Sequence, residues 1–383
     1  MTPPTPPPEP EIVTRARKRA AQLTERLAVP VEHAGEWSPA SLSEGHAGVA
    51  LAHALTDPRT AHAHLSAALR GYRSSGSGSS PGPGHQGLFH GDAALGFAAR
   101  VAAAEGESYR NILLTLDTRV ATAAGRLADD LIARLNADQQ PDQGHYDTIR
   151  GITGLGRYLL AADPRHRPAL DRVLDALVAL AALATLTERA ALADLGLAHG
   201  LAGPLALLAI AYQHDVRVTR QDTAIAQLAD TLSAHVIADA AGDYWPYTTE
   251  TTKTRAAWCY GTPGIAHALH LAAQALNEPR WARLATNTLR SVLDGPRDRW
   301  AITDPAVCHG AAGLLHVTNR LAQHTSDLAA YPLMLAELVL DHPAPKQLGL
   351  LDGATGVALA LREFADGRPK NQPLHWDAAL LLS

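Results

Sequence analysis

The sequence predicts an all-α protein, an α/α toroid of seven helical hairpins, and three features carry that expectation. Hydrophobic residues make up 46% of the 383-residue chain and aromatic ones only 5%, because alanine and leucine, both strong helix formers, dominate long stretches. A Gly-x-x-Gly signature opens one such stretch after another, at Gly45, Gly151, Gly200, Gly261, Gly310 and Gly353, with a looser copy at Gly91. Successive first glycines stand 46, 60, 49, 61, 49 and 43 residues apart, room for two helices and their connections each time.

The elements follow in order. Met1 to Glu11 is Pro-rich, without a basic region followed by an apolar stretch, so it reads as an unstructured tail and not as a secretory signal. Residues 12–383 then form one toroidal domain. Between the first two hairpins, Ser74 to Gly84 is composed of Ser, Gly and Pro alone and supports neither helix nor strand. After Gly151 the pattern predicts helices over residues 151–161 and 169–186, and after Gly200 over residues 201–212 and 219–238. Glycine inside a helix costs about 1 kcal/mol relative to alanine. Its return at helix starts therefore implies close helix approach or a tight entry turn, and places the glycine-led helices on a crowded inner ring. Closing that ring removes the two exposed ends an open solenoid must cap.

Charge and hydropathy exclude several classes of partner. The formal net charge is −5 and the pI about 6.4, with Lys and Arg scattered along the chain, so there is no footprint for nucleic acid. The longest apolar run, Ala176 to Ala184, falls far short of the roughly 18 residues a transmembrane helix needs. A soluble, cytoplasmic protein is expected. There, a disulfide is the least expected fate of the two cysteines, Cys259 and Cys308, against metal binding or simple burial.

In a closed ring, the residues before the first glycines, Glu44, His90, Arg150, His199, Tyr260, His309 and Asp352, gather at one end. Such polar convergence marks a candidate site. Cys259 and Cys308 hold equivalent places on adjacent repeats, with His309 beside the second. Thiolate and imidazole are preferred zinc ligands, and three of them leave a fourth position open, as in catalytic zinc sites. Either cysteine alone is as well explained as a small buried hydrophobe; their matching positions favour the metal. His199 can act as general acid or base, or cap its helix. Asp147 and Arg255 either orient the site or form solvated ion pairs. His46, His85, His90, His267, His270 and His316 receive no ligand role.

Four segments then carry a resemblance: Tyr-Asp-Thr-Ile-Arg-Gly-Ile-Thr-Gly from Tyr146, His-Gly-Leu-Ala-Gly from His199, Trp-Cys-Tyr-Gly-Thr-Pro-Gly from Trp258, and Cys-His-Gly-Ala-Ala-Gly from Cys308. Together they resemble the lanthionine synthetase C-like family, over roughly Glu44 to Leu361. The resemblance implies a seven-hairpin toroid around a zinc ion held by Cys259, Cys308 and His309, with His199, Asp147, Arg255 and Tyr260 as catalytic residues. It implies Michael addition of peptide cysteine thiols to dehydroalanine or dehydrobutyrine, giving lanthionine or methyllanthionine rings. A dehydrated precursor peptide is the implied substrate. The start at Met1 without a long extension resembles standalone cyclases that work beside a separate dehydratase. Two other readings share these motifs: a relative that binds or adds glutathione, and a non-catalytic scaffold for a leader peptide, which would be expected to lack at least one reactive position.

Overall fold

The structure is a computed structural model and describes residues 10–31, 37–74, 87–103, 108–186, 192–370, 372 and 374–383. Seven inner helices form a closed ring: α2 (His46–His53), α4 (Gly91–Ala102), α7 (Ile152–Leu160), α9 (Ala202–Gln213), α11 (Thr262–Leu276), α13 (Ala311–Ala322) and α15 (Ala354–Asp366). Each packs against the next, and α15 returns to α2. Six outer helices follow their inner partners in sequence: α3 (Pro58–Ser74), α5 (Arg110–Asn136), α8 (Arg167–Leu186), α10 (Gln221–Ala234), α12 (Pro279–Asp294) and α14 (Tyr331–Asp341). The fold is the α/α toroid the repeats predict.

The seventh pair departs from a simple series of hairpins. Its outer helix is α1 (Glu11–Arg26), from the opposite end of the chain, packed on α15. Ala16, Ala20 and Leu23 recur at helical spacing and are buried there, with Leu27 just beyond. The expected tail over residues 1–11 thus ends in the first residue of α1, and residues 1–9 lie outside the described residues. So do His85 and the Ser/Gly/Pro segment, apart from Ser74 at the end of α3.

Burial separates the two rings. Every residue from Ala202 to Ala211 of α9 is buried, as an inner helix enclosed on all sides requires. Outer α12 buries only one stripe, including Trp281, Ala285 and Leu289. The helix expected to reach residue 238 stops at Ala234, and Ile237–Asp239 (β1) pairs antiparallel with Gly242–Tyr244 (β2). Gly242, at φ +116°, supplies the positive φ of that tight turn. A short helix, α6 (Gln143–Tyr146), precedes α7.

The glycine motifs have a common structural cause. A Cβ on the second glycine would meet the carbonyl oxygen six residues earlier: Gly48 on Leu42, Gly154 on Thr148, Gly264 on Trp258, Gly313 on Val307 and Gly356 on Leu350. The segments carrying those carbonyls are turns and bends, most of them bonded to the segment of a neighbouring repeat. Leu42 N–H donates to Phe89 O, Thr148 to Ala198, Ala198 to Cys259, Cys259 to Cys308, Cys308 to Leu351, and Leu350 back to Leu42. This belt of backbone bonds lies at the N-terminal ends of the inner helices and carries the chemistry-bearing residues.

The bore behind the belt is filled. Trp376 to Leu382 are each 5% exposed or less. They lie among α7, α13 and α15, with Arg320 donating to Leu382 O at 3.2 Å and Trp258 Nε1 to Leu380 O at 2.9 Å. The mouth at the belt is therefore closed from behind by the C-terminal segment.

Candidate metal and catalytic site

Cys259 and Cys308 occupy neighbouring rungs of the belt, where the Cys259 N–H donates to the Cys308 carbonyl at 3.2 Å. That register sets the two side chains side by side, and His309 follows directly. The ligand atoms of Cys259, Cys308 and His309 all lie within 4.8 Å of one another, and neither cysteine is in a disulfide. Two sulfurs and an imidazole converging at this distance fit a borderline cation such as zinc.

The electrostatics agree with that donor chemistry. The Cys308 thiol alongside, then His309 and Arg255, outweigh burial and bring the Cys259 thiol down to about 6. Cys308 is pushed up, first by its hydrogen-bonded neighbour Cys259 and then by burial, so the pair holds one proton more firmly than two. His309 is raised, chiefly by Cys259, and its ring stands 3.7 Å from Asp352 and 3.8 Å from Asp304. The positive charge of Arg255 bears on both sulfurs, and its buried Nε hydrogen-bonds to no described residue.

On the two belt rungs that precede Cys259 stands a second pair. Asp147 is fully buried; one carboxylate oxygen accepts the backbone N–H groups of Arg150 at 2.6 Å and Gly151 at 2.8 Å, fixing the entry to α7. Its other oxygen lies 2.7 Å from His199 Nδ1. A carboxylate can only accept, so Nδ1 carries the proton and Nε2 keeps the lone pair. Burial pulls the His199 pKa down, but the hydrogen bond and charge of Asp147, with the charge of Asp194, outweigh it, and the net shift is upward. Tyr260 completes the link to the sulfurs: its ring centroid is 6.0 Å from that of His199. Burial, then Asp194, raises its phenol.

All seven residues singled out from the sequence thus stand at one mouth of the toroid. Others there were not singled out. Asp194 is 6% exposed, accepts the Gly196 N–H at 2.8 Å and Gln143 Nε2 at 2.9 Å, and faces Tyr260. Asp304 plays the same local part for Ala306 at 2.8 Å. Their signal was a shared position six residues ahead of Gly200 and Gly310. A second trio of ligand-type groups, His316, Glu363 and Asp377, lies buried at the far end. Arg368 and Ser383 already hold the Asp377 carboxylate, and Trp376 holds Glu363; that trio is an ion-pair network of the core.

The fold and site together define a helical toroid with a Cys, Cys, His cluster that could hold a metal and a His–Asp pair at the same mouth. The sequence matches the lanthionine synthetase C-like protein family over residues 36–381, and the chain belongs to that family. Among solved structures, nisin cyclase shares the fold at a TM-score of 0.74 and 20% identity, with 98% of each chain covered. No curated protein matches the sequence significantly.

Proposed function

We infer that this protein is a zinc-dependent lanthipeptide cyclase that adds peptide cysteine thiols to dehydroalanine or dehydrobutyrine. The observation that carries the reading is the trio Cys259, Cys308 and His309, with ligand atoms within 4.8 Å, sharing a mouth with the His199–Asp147 pair. Family membership and the likeness to a protein named nisin cyclase support it. The substrate is a dehydrated precursor peptide, supplied by a separate dehydratase, and the setting is the cytoplasm; no described helix is long and apolar enough to cross a membrane.

Cys259, Cys308 and His309 would hold the zinc. Zinc held by these residues would supply acidification of a substrate thiol, whose ordinary pKa of about 8.5 leaves it mostly protonated at neutral pH. His199 Nε2, with Nδ1–H held by Asp147, accepts the thiol proton and returns a proton to the α-carbon once the sulfur has bonded to the β-carbon. The π pair thereby becomes the new C–H bond, and atoms balance without a co-reactant. Arg255 and the inner-helix N-termini favour the negative charge that develops on the peptide enolate. Tyr260 spans the two halves of the site.

Zinc per chain, measured in wild type, Cys259→Ala and Cys308→Ala, tests the cluster. About one zinc in wild type and its loss from both variants is expected, followed by thioether formation from a dehydrated, cysteine-containing peptide. Wild type without zinc after zinc-supplemented preparation, or variants that keep it, would sink the mechanism.

A further inference from the structure

The 61-residue interval between Gly200 and Gly261 is longer than most of the others, and the excess forms β1, β2 and the segment up to Arg255. That segment turns back over the belt beside Asp194. Tyr247 N–H donates to Lys253 O at 2.9 Å, Leu195 N–H to Tyr247 O at 3.0 Å, and Thr249 N–H to Ala193 O at 2.9 Å. Its base is anchored as well. Trp245 N–H donates to Thr262 Oγ1 at 3.0 Å, Trp245 Nε1 to Leu232 O at 2.7 Å, and Thr254 Oγ1 to Trp245 O at 2.7 Å.

These bonds fix the backbone of Tyr247 on both sides while its side chain stays half-buried. Its ring centroid lies 5.4 Å from that of Tyr260, which lies 6.0 Å from that of His199. The three rings form a shelf leading from the edge of the mouth to the catalytic pair. No described residue hydrogen-bonds the Tyr247 hydroxyl. A half-buried phenol on an anchored backbone, with a hydroxyl that no described residue engages, next to Tyr260 and His199, has the properties of a binding residue.

We propose that Tyr247 is a substrate-positioning residue: its ring packs against the peptide beside the reacting cysteine, and its hydroxyl hydrogen-bonds a peptide group there. The proposal rests on the cyclase reading for the identity of the substrate and adds the residue that seats it. Tyr247 touches neither the thiol nor the alkene, so its loss weakens binding and leaves the chemical step.

The test uses the zinc-loaded full chain and a peptide of about ten residues containing one cysteine and one dehydroalanine, with Tyr247→Phe and Tyr247→Ala as variants. Binding is measured by calorimetry and turnover by thiol loss. Tyr247→Ala is expected to weaken Kd and raise KM about tenfold, the loss of one aromatic contact and one hydrogen bond, with kcat changed less than about threefold. Tyr247→Phe, which keeps the shelf, should lose about threefold. Unchanged thermal melting and zinc content show that the variants fold. Equal binding by wild type and Tyr247→Ala overturns the proposal, as does a fall in kcat with KM unchanged. Wild type that binds the peptide without cyclising it overturns the cyclase reading instead, and the comparison of Kd values still decides the role of Tyr247.

Discussion

At His199 the structure fixes which ring nitrogen of the neutral imidazole carries the proton. Asp147 Oδ1 serves two backbone N–H groups and Oδ2 serves the imidazole, so one buried side chain sets both the loop and the tautomer. Asp147→Asn can satisfy the loop through its amide oxygen, but turns an NH₂ donor toward Nδ1. The neutral ring must then carry its proton on Nε2, where the base is needed. Single-turnover cyclisation should fall about 100-fold or more with zinc retained; an unchanged rate would exclude the pair from the chemistry. Since His199 is raised and must be neutral to accept a proton, the rate should climb with pH through an apparent pKa above 6.5 in wild type. His199 was legible from its place before Gly200, and Cys259, Cys308 and His309 from their matching positions. Asp147 was legible only through the resemblance of the segment from Tyr146, Asp194 shares with Asp304 a place six residues ahead of a motif glycine that by itself names no chemistry, and Tyr247 lies off every repeat position, where only the folded chain brings it to the others.

Between residue and ring, the glycines decide which segments touch. The second glycine of each motif lets the start of an inner helix press on the belt carbonyl six residues earlier. Gly264→Ala would drive a methyl group into the Trp258 carbonyl and the Leu197 Cβ. The adjoining Cys259 rung must shift, so we expect a loss of about 2–3 kcal/mol in urea unfolding together with weaker zinc retention. Gly125, inside outer helix α5, is the contrasting case: a Cβ there meets only the Arg172 guanidinium at 3.7 Å. Gly125→Ala should stabilise by about 0.5–1 kcal/mol, and a loss there would show that packing, not helix propensity, governs that position. Glycine periodicity made the inner ring readable because the cause is local and repeated. Neither α1 nor β1 and β2 repeats. The first is a single amphipathic stretch whose buried residues are Ala16, Ala20 and Leu23, and the second is a turn inside an interval already long enough for helices.

Over the whole molecule, closing the ring buries histidines that the open chain would leave in water. His64, His270 and His375 are brought down to about 4, chiefly by burial, and His267 well below its ordinary value for the same reason. At His64 the Leu27 carbonyl favours a proton, but burial outweighs it. His64 shares the Leu27 carbonyl with His53 and meets His46 Nδ1 at 3.1 Å; His270 and His375 lie in the field of Arg320. In the unfolded chain each titrates near 6.5. Between about pH 6.5 and 4 the unfolded state therefore binds more protons, so stability is complete above 6.5 and is lost as pH falls through that window. His199, Asp194 and Asp352 are shifted upward and work in the opposite sense, but none of them by a large displacement. Asp377, which burial would raise but His316, Arg368 and Arg320 hold low, contributes stability throughout the window and loses it only below. Thermal unfolding should fall by about 5–10 °C from pH 7 to pH 5. Measuring it with saturating zinc and again with chelator separates the buried histidines from proton competition at Cys259, Cys308 and His309. An equal Tm at the two pH values in chelator would mean that these histidines are protonated in the folded chain or hydrated through openings of the ring; a fall of the same size in both conditions would place the acid sensitivity in the core and not at the metal.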